Sequence, residues 1–225
     1  MPHLRRTGDV FVLGLGHVGE TDTENRFTAQ WFTEANDCLD EVDASSGPAA
    51  LVTTGTGKFY SNGFVPERFA DEPAAVAAYL LAGQAFFARI LAAEYPTIAA
   101  IQGHVFAGGA ILASAHDRRV MRSDRGYFCL PEITMGLPIP GPMSDLLQAR
   151  LPHATAREAI LTGRRYGGLD AATSGLVHEA VEAEQVLPSA IAWAEEVVST
   201  RGPVLSAMKR RLHRTVLDEL TRIDL

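Results

Sequence analysis

Three stretches of this 225-residue chain combine residue types that could do chemistry. Lys58-Phe-Tyr-Ser-Asn-Gly-Phe64 and Gly103-His-Val-Phe-Ala-Gly-Gly109 each follow an apolar, strand-like run, and Leu130-Pro-Glu-Ile-Thr-Met-Gly-Leu137 sets Glu132 among apolar residues. Glycine loops at strand ends let backbone N–H groups point into a crevice, and two that converge on one oxygen form an oxyanion hole. The Gly108-Gly109 pair opens the helix-like AILASAHD and adds the positive end of a helix dipole. A carboxylate in apolar surroundings has a raised pKa, which suits a proton shuttle near neutrality. Taken singly, each feature reads more simply as a turn or a solvated cap.

The elements that must position these residues follow from hydrophobic periodicity. Residues 9–15 and 49–54 read as buried strands, 97–102 as a third, and 119–121 and 127–130 as further short ones. Trp31, Ala35, Cys38, Leu39 and Val42 recur at helical spacing, giving an amphipathic helix over 28–42. A long Ala- and Leu-rich helix over 74–94 stops before Pro96. From 141 onward the chain reads mainly helical, and 204–220 places Leu205, Met208, Leu212, Val216 and Leu220 on one face. The class is α/β, with strands and helices alternating over 1–140 and a helical C-terminal part over 141–225.

Several other chemistries are disfavoured. Gly14-Leu-Gly-His-Val-Gly19 fits the dinucleotide pattern GxGxxG, but an acidic stretch follows it where a helix should begin, so it reads as a plain loop. Cys38 and Cys129 lie far apart without ligand spacing, and the seven histidines show no metal motif. With 20 Lys and Arg against 27 Asp and Glu, the net charge of −7 argues against nucleic acid as a partner. No run approaches the ~18 uninterrupted apolar residues of a membrane span. The last residues, Arg222-Ile-Asp-Leu225, form no SKL-type address, so the expected location is cytoplasmic.

In combination, the motifs resemble the crotonase (enoyl-CoA hydratase/isomerase) superfamily over nearly the whole chain. SNGF at 61–64 looks like its first oxyanion loop, HVFAGGAILASAHD its second loop and helix, and LPEITMGLP its catalytic-carboxylate segment. Leu161-Thr-Gly-Arg-Arg-Tyr166 and the later Ala171–Val177 stretch look like further family signatures. The resemblance implies a spiral of ββα units, assembly as a homotrimer or dimer of trimers, and an acyl-CoA thioester substrate. Coenzyme A is then part of the substrate, with no separate cofactor and no metal.

Carried over residue by residue, the resemblance implies that Phe64 and Gly108 supply the two oxyanion N–H groups and Glu132 the base. Ser61, Asn62 and Gly63 would join Phe64 and Gly108 in binding substrate, beside Ile111. Family hydratases carry a first glutamate where this chain has Ile111, which cannot activate water. One carboxylate beside an oxyanion hole suits the 1,3-proton shift of Δ3,Δ2-enoyl-CoA isomerases, the short members of which this chain most resembles. The alternatives are another thioester reaction (hydration, hydrolysis or decarboxylation) or a non-catalytic acyl-CoA-binding protein. Many members have Asp where this chain has Val65, so loop rigidity is expected from Pro66 instead. Coenzyme A is anionic, so local basic residues must dock it: Lys58, expected to bind substrate, precedes the first loop and Arg68 follows it. Lys209, in the basic run Lys209-Arg-Arg-Leu-His-Arg214, is expected to contact a CoA phosphate.

Overall fold

The computed structural model describes residues 2–21 and 23–222. β1 (His3–Thr7) and β2 (Val10–Gly14) make an antiparallel hairpin through Gly8 at φ +59. Only β2 is legible in the sequence. β1 is an arginine-bearing sheet edge, half exposed, and lacks an apolar pattern. α1 (Ala29–Ala44) begins where Thr28 Oγ1 accepts the Trp31 N–H at 3.0 Å.

The chain then repeats one pattern. β3 (Ala50–Thr54) leads to the short β4 (Phe59–Ser61) and to α2 (Pro73–Leu91). β5 (Thr97–Ile101) leads to β6 (His104–Phe106) and α3 (Gly108–Ala115). β7 (Arg118–Arg122) leads to β8 (Phe128–Cys129) and α4 (Glu132–Met135). α5 (Gly141–Arg150), α6 (His153–Thr162) and α7 (Gly168–Thr173) follow, then β9 (Glu179–Val181), α8 (Val186–Val197), α9 (Pro203–Leu212) and α10 (Arg214–Glu219). The first strand of each unit enters a six-stranded sheet ordered β1-β2-β3-β5-β7-β9, parallel beyond β2. The second enters a separate parallel sheet, β4-β6-β8. This is a ββα spiral. β9 is a strand inside the region that reads as helical, too short at three residues to show a period.

Both faces of the large sheet are covered, which explains its nearly continuous apolar strands. Phe11, Leu13, Leu51 and Ile101 pack on one side with α1, α2 and α3, while Val10, Val12, Val52 and Ile98 meet Val186, Ala190 and Ala194 of α8 on the other. α2 is long and apolar enough by composition to cross a membrane. Its apolar face is used in the core instead: Tyr79, Leu80, Gly83, Phe86, Phe87 and Ile90 are buried there.

One sequence expectation holds here and another does not. The GxGxxG stretch starts at the end of β2 and no helix opens inside it. Gly14 is needed because a Cβ would strike the His3 ring at 2.2 Å, and Gly16 because one would strike Asn25 Oδ1 at 2.3 Å. The helix read over 204–220 is in fact two helices broken at His213. Val216 and Leu220 are buried, but Met208 and Leu212 are exposed, because α9 turns Ser206 and Lys209 inward.

Candidate active site

The first glycine loop is set by the hydrogen bonds of its own backbone. Gly63 sits at φ +74, a region open to glycine, with its N–H on Ser61 Oγ at 3.0 Å. The Gly63 carbonyl accepts the Phe27 N–H at 2.8 Å. That bond fixes the Gly63–Phe64 peptide plane and turns the Phe64 N–H the other way, where it meets no protein acceptor among the described residues. The Phe64 ring is anchored edge-on against Tyr79, with centroids 5.2 Å apart. One step on, the Val65 N–H donates to Tyr79 Oη at 2.9 Å, and Tyr79 O–H donates to the Phe27 carbonyl. Rigidity therefore comes from Tyr79 as well as from Pro66, which starts a 3-10 turn over Pro66–Ala70.

The second loop ends on a residue under strain. Ala107 holds φ +51 and ψ −126, a conformation costly to a residue with a Cβ. Its N–H donates to the Cys129 carbonyl at 3.1 Å, and its carbonyl accepts from Ala110 and Ile111 at 2.9 and 3.1 Å. With that carbonyl engaged by the first turn of α3, the Gly108 N–H points out of the helix and has no protein acceptor among the described residues. The loops touch through their glycines. A Cβ on Gly63 would lie 2.5 Å from Gly108 N, and one on Gly108 would lie 2.7 Å from the Phe64 ring. Two unclaimed N–H donors thus stand side by side, one carrying the positive end of α3.

Both line a cavity of about 720 Å³, as do Asn62, Ile111 and Glu132. Glu132 opens the one-turn helix α4 after Pro131, and its Oε2 is buried with no hydrogen-bond partner. Burial without a cationic partner raises the carboxyl from 4.5 to about 7, partly offset by its own backbone N–H. Ile111, on the first turn of α3, is 2% exposed. Much of the remaining wall is apolar, including Phe69, Val76, Leu80, Leu137, Ile139 and Met143. Cys129 also faces the cavity, but burial pushes its thiol up to about 11 and its S–H donates to the Gly163 carbonyl, so it is no nucleophile. Among the described residues no three His, Cys, Asp or Glu gather as a metal site. The arrangement can hold a negative oxygen at two N–H groups and move a proton at one carboxyl.

The family model for enoyl-CoA hydratase/isomerase matches residues 18–223. The chain belongs to the enoyl-CoA hydratase/isomerase family. It is 32% identical over 220 residues to enoyl-CoA delta isomerase 3 of Arabidopsis thaliana, covering 93% of this chain and 91% of that one. An enoyl-CoA isomerase of Mycobacterium tuberculosis superposes with a TM-score of 0.88 at 23% identity, over 97% of this chain and 93% of that one. Human mitochondrial Δ3,Δ2-enoyl-CoA isomerase gives 0.87 at 21% identity, over 97% and 85%. The ββα spiral is therefore the crotonase fold.

Not every residue expected from the family pattern reaches the cavity of this hydratase/isomerase-family enzyme. Ser61 is fully buried, donating to the Asn25 carbonyl at 2.7 Å and accepting from Gly63, so it builds the loop rather than touching a ligand. Gly63 likewise acts through its backbone. Lys58 is exposed outside the cavity wall, its Nζ 5.4 Å from the Phe59 ring. Arg68 is paired with Asp71 at 3.0 Å. Lys209 contradicts its expected phosphate contact most clearly. It is 4% exposed, and its Nζ donates to Asp117 Oδ2 at 2.6 Å and to the Tyr95 carbonyl at 2.9 Å. A buried ammonium needs such partners, and they leave it nothing to offer a ligand. Two wall cations escaped the sequence reading. Arg26 donates to the Phe64 carbonyl at 3.0 Å, and Arg165 stands near Phe106 at the cavity edge. The only signal for Arg165 was its place in LTGRRY, and Arg26 had none.

Proposed function

We propose that this protein isomerises 3-enoyl-CoA thioesters to 2-enoyl-CoA thioesters. The observation that carries the reading is a carboxyl, Glu132, whose buried Oε2 has no partner among the described residues and which shares an apolar cavity with the free Phe64 and Gly108 N–H groups. The Glu132 carboxylate removes a proton from C2 of the 3-enoyl thioester. The electron pair delocalises through C3–C4 and onto the thioester oxygen, where the two N–H groups stabilise the dienolate. The carboxylic acid then returns that proton to C4, leaving the double bond between C2 and C3. A pKa near 7 serves both halves, since the same group must take and give a proton at similar cost.

Ile111 supports isomerisation over hydration, because hydration must also polarise a water at C3 and, among the described residues, that wall of the cavity carries no second carboxylate. The relatives named as delta isomerases agree with this reading. The test is to incubate the protein separately with 3-enoyl-CoA and 2-enoyl-CoA and identify the products. Conversion of the first to 2-enoyl-CoA, with little or no 3-hydroxyacyl-CoA from the second, is expected. Robust hydration with no double-bond shift would overturn the reading.

A further inference from the structure

Under the C-terminal end of α3 lie a buried cation, Arg119, and a half-buried one, Arg150, that the proton shuttle does not use. Arg119, 2% exposed, donates to the carbonyls of Leu176 at 2.7 Å, His116 at 3.2 Å and Ser114 at 3.4 Å. Arg150 reaches the same two helix-end carbonyls from α5, donating to Ser114 O at 3.2 Å and His116 O at 2.8 Å. Neither guanidinium has a carboxylate partner among the described residues. Asp117, the nearby acid, is occupied by Lys209 and by the Thr97 N–H and O–H. A third grip comes from His116, fully buried, whose Nδ1 lies 2.8 Å from the Leu112 carbonyl and whose Nε2 lies 2.9 Å from Thr53 Oγ1.

Two unpaired guanidinium groups are expensive to bury. What offsets that cost here is the negative end of a helix dipole, since one shared acceptor is the Ser114 carbonyl in the last turn of α3, the other being that of its cap residue His116. The opposite end of the same helix is Gly108. We infer that Arg119 and Arg150 are positioning residues for the oxyanion donor, clamping α3 at its far end and biasing the cavity toward a negative oxygen. This rests on the reading of the cavity as an enolate-stabilising site. Eight residues of helix span about 12 Å. A hydrogen bond beyond each end puts the guanidinium about 18 Å from the held oxygen, and at an effective dielectric of about 20 one cation there favours an anion by roughly fivefold.

The probe is acetoacetyl-CoA, whose bound enolate is read by near-ultraviolet absorbance, alongside kcat and KM on a 3-enoyl-CoA. Arg150→Met is expected to lower kcat and the enolate-to-keto ratio of bound probe by about fivefold, with KM changed less than about twofold. Arg150→Lys, which keeps the charge, should restore most of both. Arg150→Gln retains a donor without the charge and gives the same expectation should the methionine variant fail to fold. Arg201→Met is the structural control. Arg201 clamps the end of α1 through the Val42, Asp43 and Gly47 carbonyls, but the start of α1 is capped by Thr28 rather than open to the cavity. That variant should lose stability and keep its kcat. A folded Arg150→Gln with wild-type kcat and enolate ratio would overturn the inference, as would an equal kcat loss in Arg201→Met. Absence of any enolate or turnover with the wild-type protein would instead refute the oxyanion-hole reading beneath it.

Discussion

Replacing Glu132 by Gln should make the protein more stable at alkaline pH while removing its activity. Folding carries the carboxyl from 4.5 to about 7 by burial. Between those values the unfolded chain has released its proton and the native chain still holds it, so wild-type stability falls as pH rises. The full displacement corresponds to roughly 3 kcal/mol, at about 1.4 kcal/mol per tenfold in proton affinity. It is small near pH 4.5 and complete by about pH 8. Glutamine cannot ionise and escapes this loss. Any constant cost of burying its amide cancels when the variant-minus-wild-type difference is compared at two pH values. Chemical denaturation at fixed protein concentration, at pH 4.5 and pH 8, should show that difference growing by about 3 kcal/mol in favour of Gln, or roughly 6–12 °C in Tm. Turnover should fall by roughly 10²–10⁴-fold. In the wild-type protein kcat/KM should rise with pH and level off above about 7, as the base form fills. A stability difference that stays flat between the two pH values would mean that the carboxyl is solvated, and the explanation of its proton affinity would fail.

Gly63→Ala should cost roughly 1–2 kcal/mol in backbone strain and lower turnover by about a hundredfold, since its Cβ would force the two donors apart. A folded Ala variant with normal kcat would place a donor elsewhere. Lys209→Met should destabilise by about 3 kcal/mol, leaving Asp117 without its cation, yet leave KM for a CoA ester unchanged; a raised KM in titration with substrate would restore the phosphate role that its burial denies. Ile111→Glu should raise 2-enoyl-CoA hydration relative to isomerisation, at a cost of about 1–3 kcal/mol for the buried carboxyl. Product analysis showing no change in that ratio would mean that position 111 does not decide between the reactions.

What the sequence made legible depended on how locally each feature is encoded. β3, β5, α1 and α2 announce themselves because each carries its own apolar run or period, and the Pro96 stop is a one-residue signal. β4, β6 and β9 have three residues apiece, fewer than one can test for alternation, and exist because a neighbouring strand is already in place. The site was readable where it is made of glycines and a misplaced charge: Gly63, Gly108 and Glu132. It was misread where a side chain's direction depends on distant partners. Lys209 looks like surface in a basic run, and only Asp117 and the Tyr95 carbonyl, far off in sequence, draw it inward. Tyr79 sits mid-helix without any mark of its grip on the Val65 N–H.

Both unclaimed donors are main-chain groups, and they follow strands β4 and β6, which are hydrogen-bonded neighbours. The lattice of the small sheet, with strands about 4.8 Å apart, therefore acts as the ruler that spaces them. A point mutation cannot delete such a donor short of proline, so substitutions that spare the close-packed Gly63 and Gly108 leave both donors in place. The facing wall is the reverse: in the proposed reaction one side chain each, at Ile111 and Glu132, would decide what is done to a held thioester. A library varied only at 111, 132 and the adjoining 133–135 would thus search among reactions on a cradle that every member still possesses.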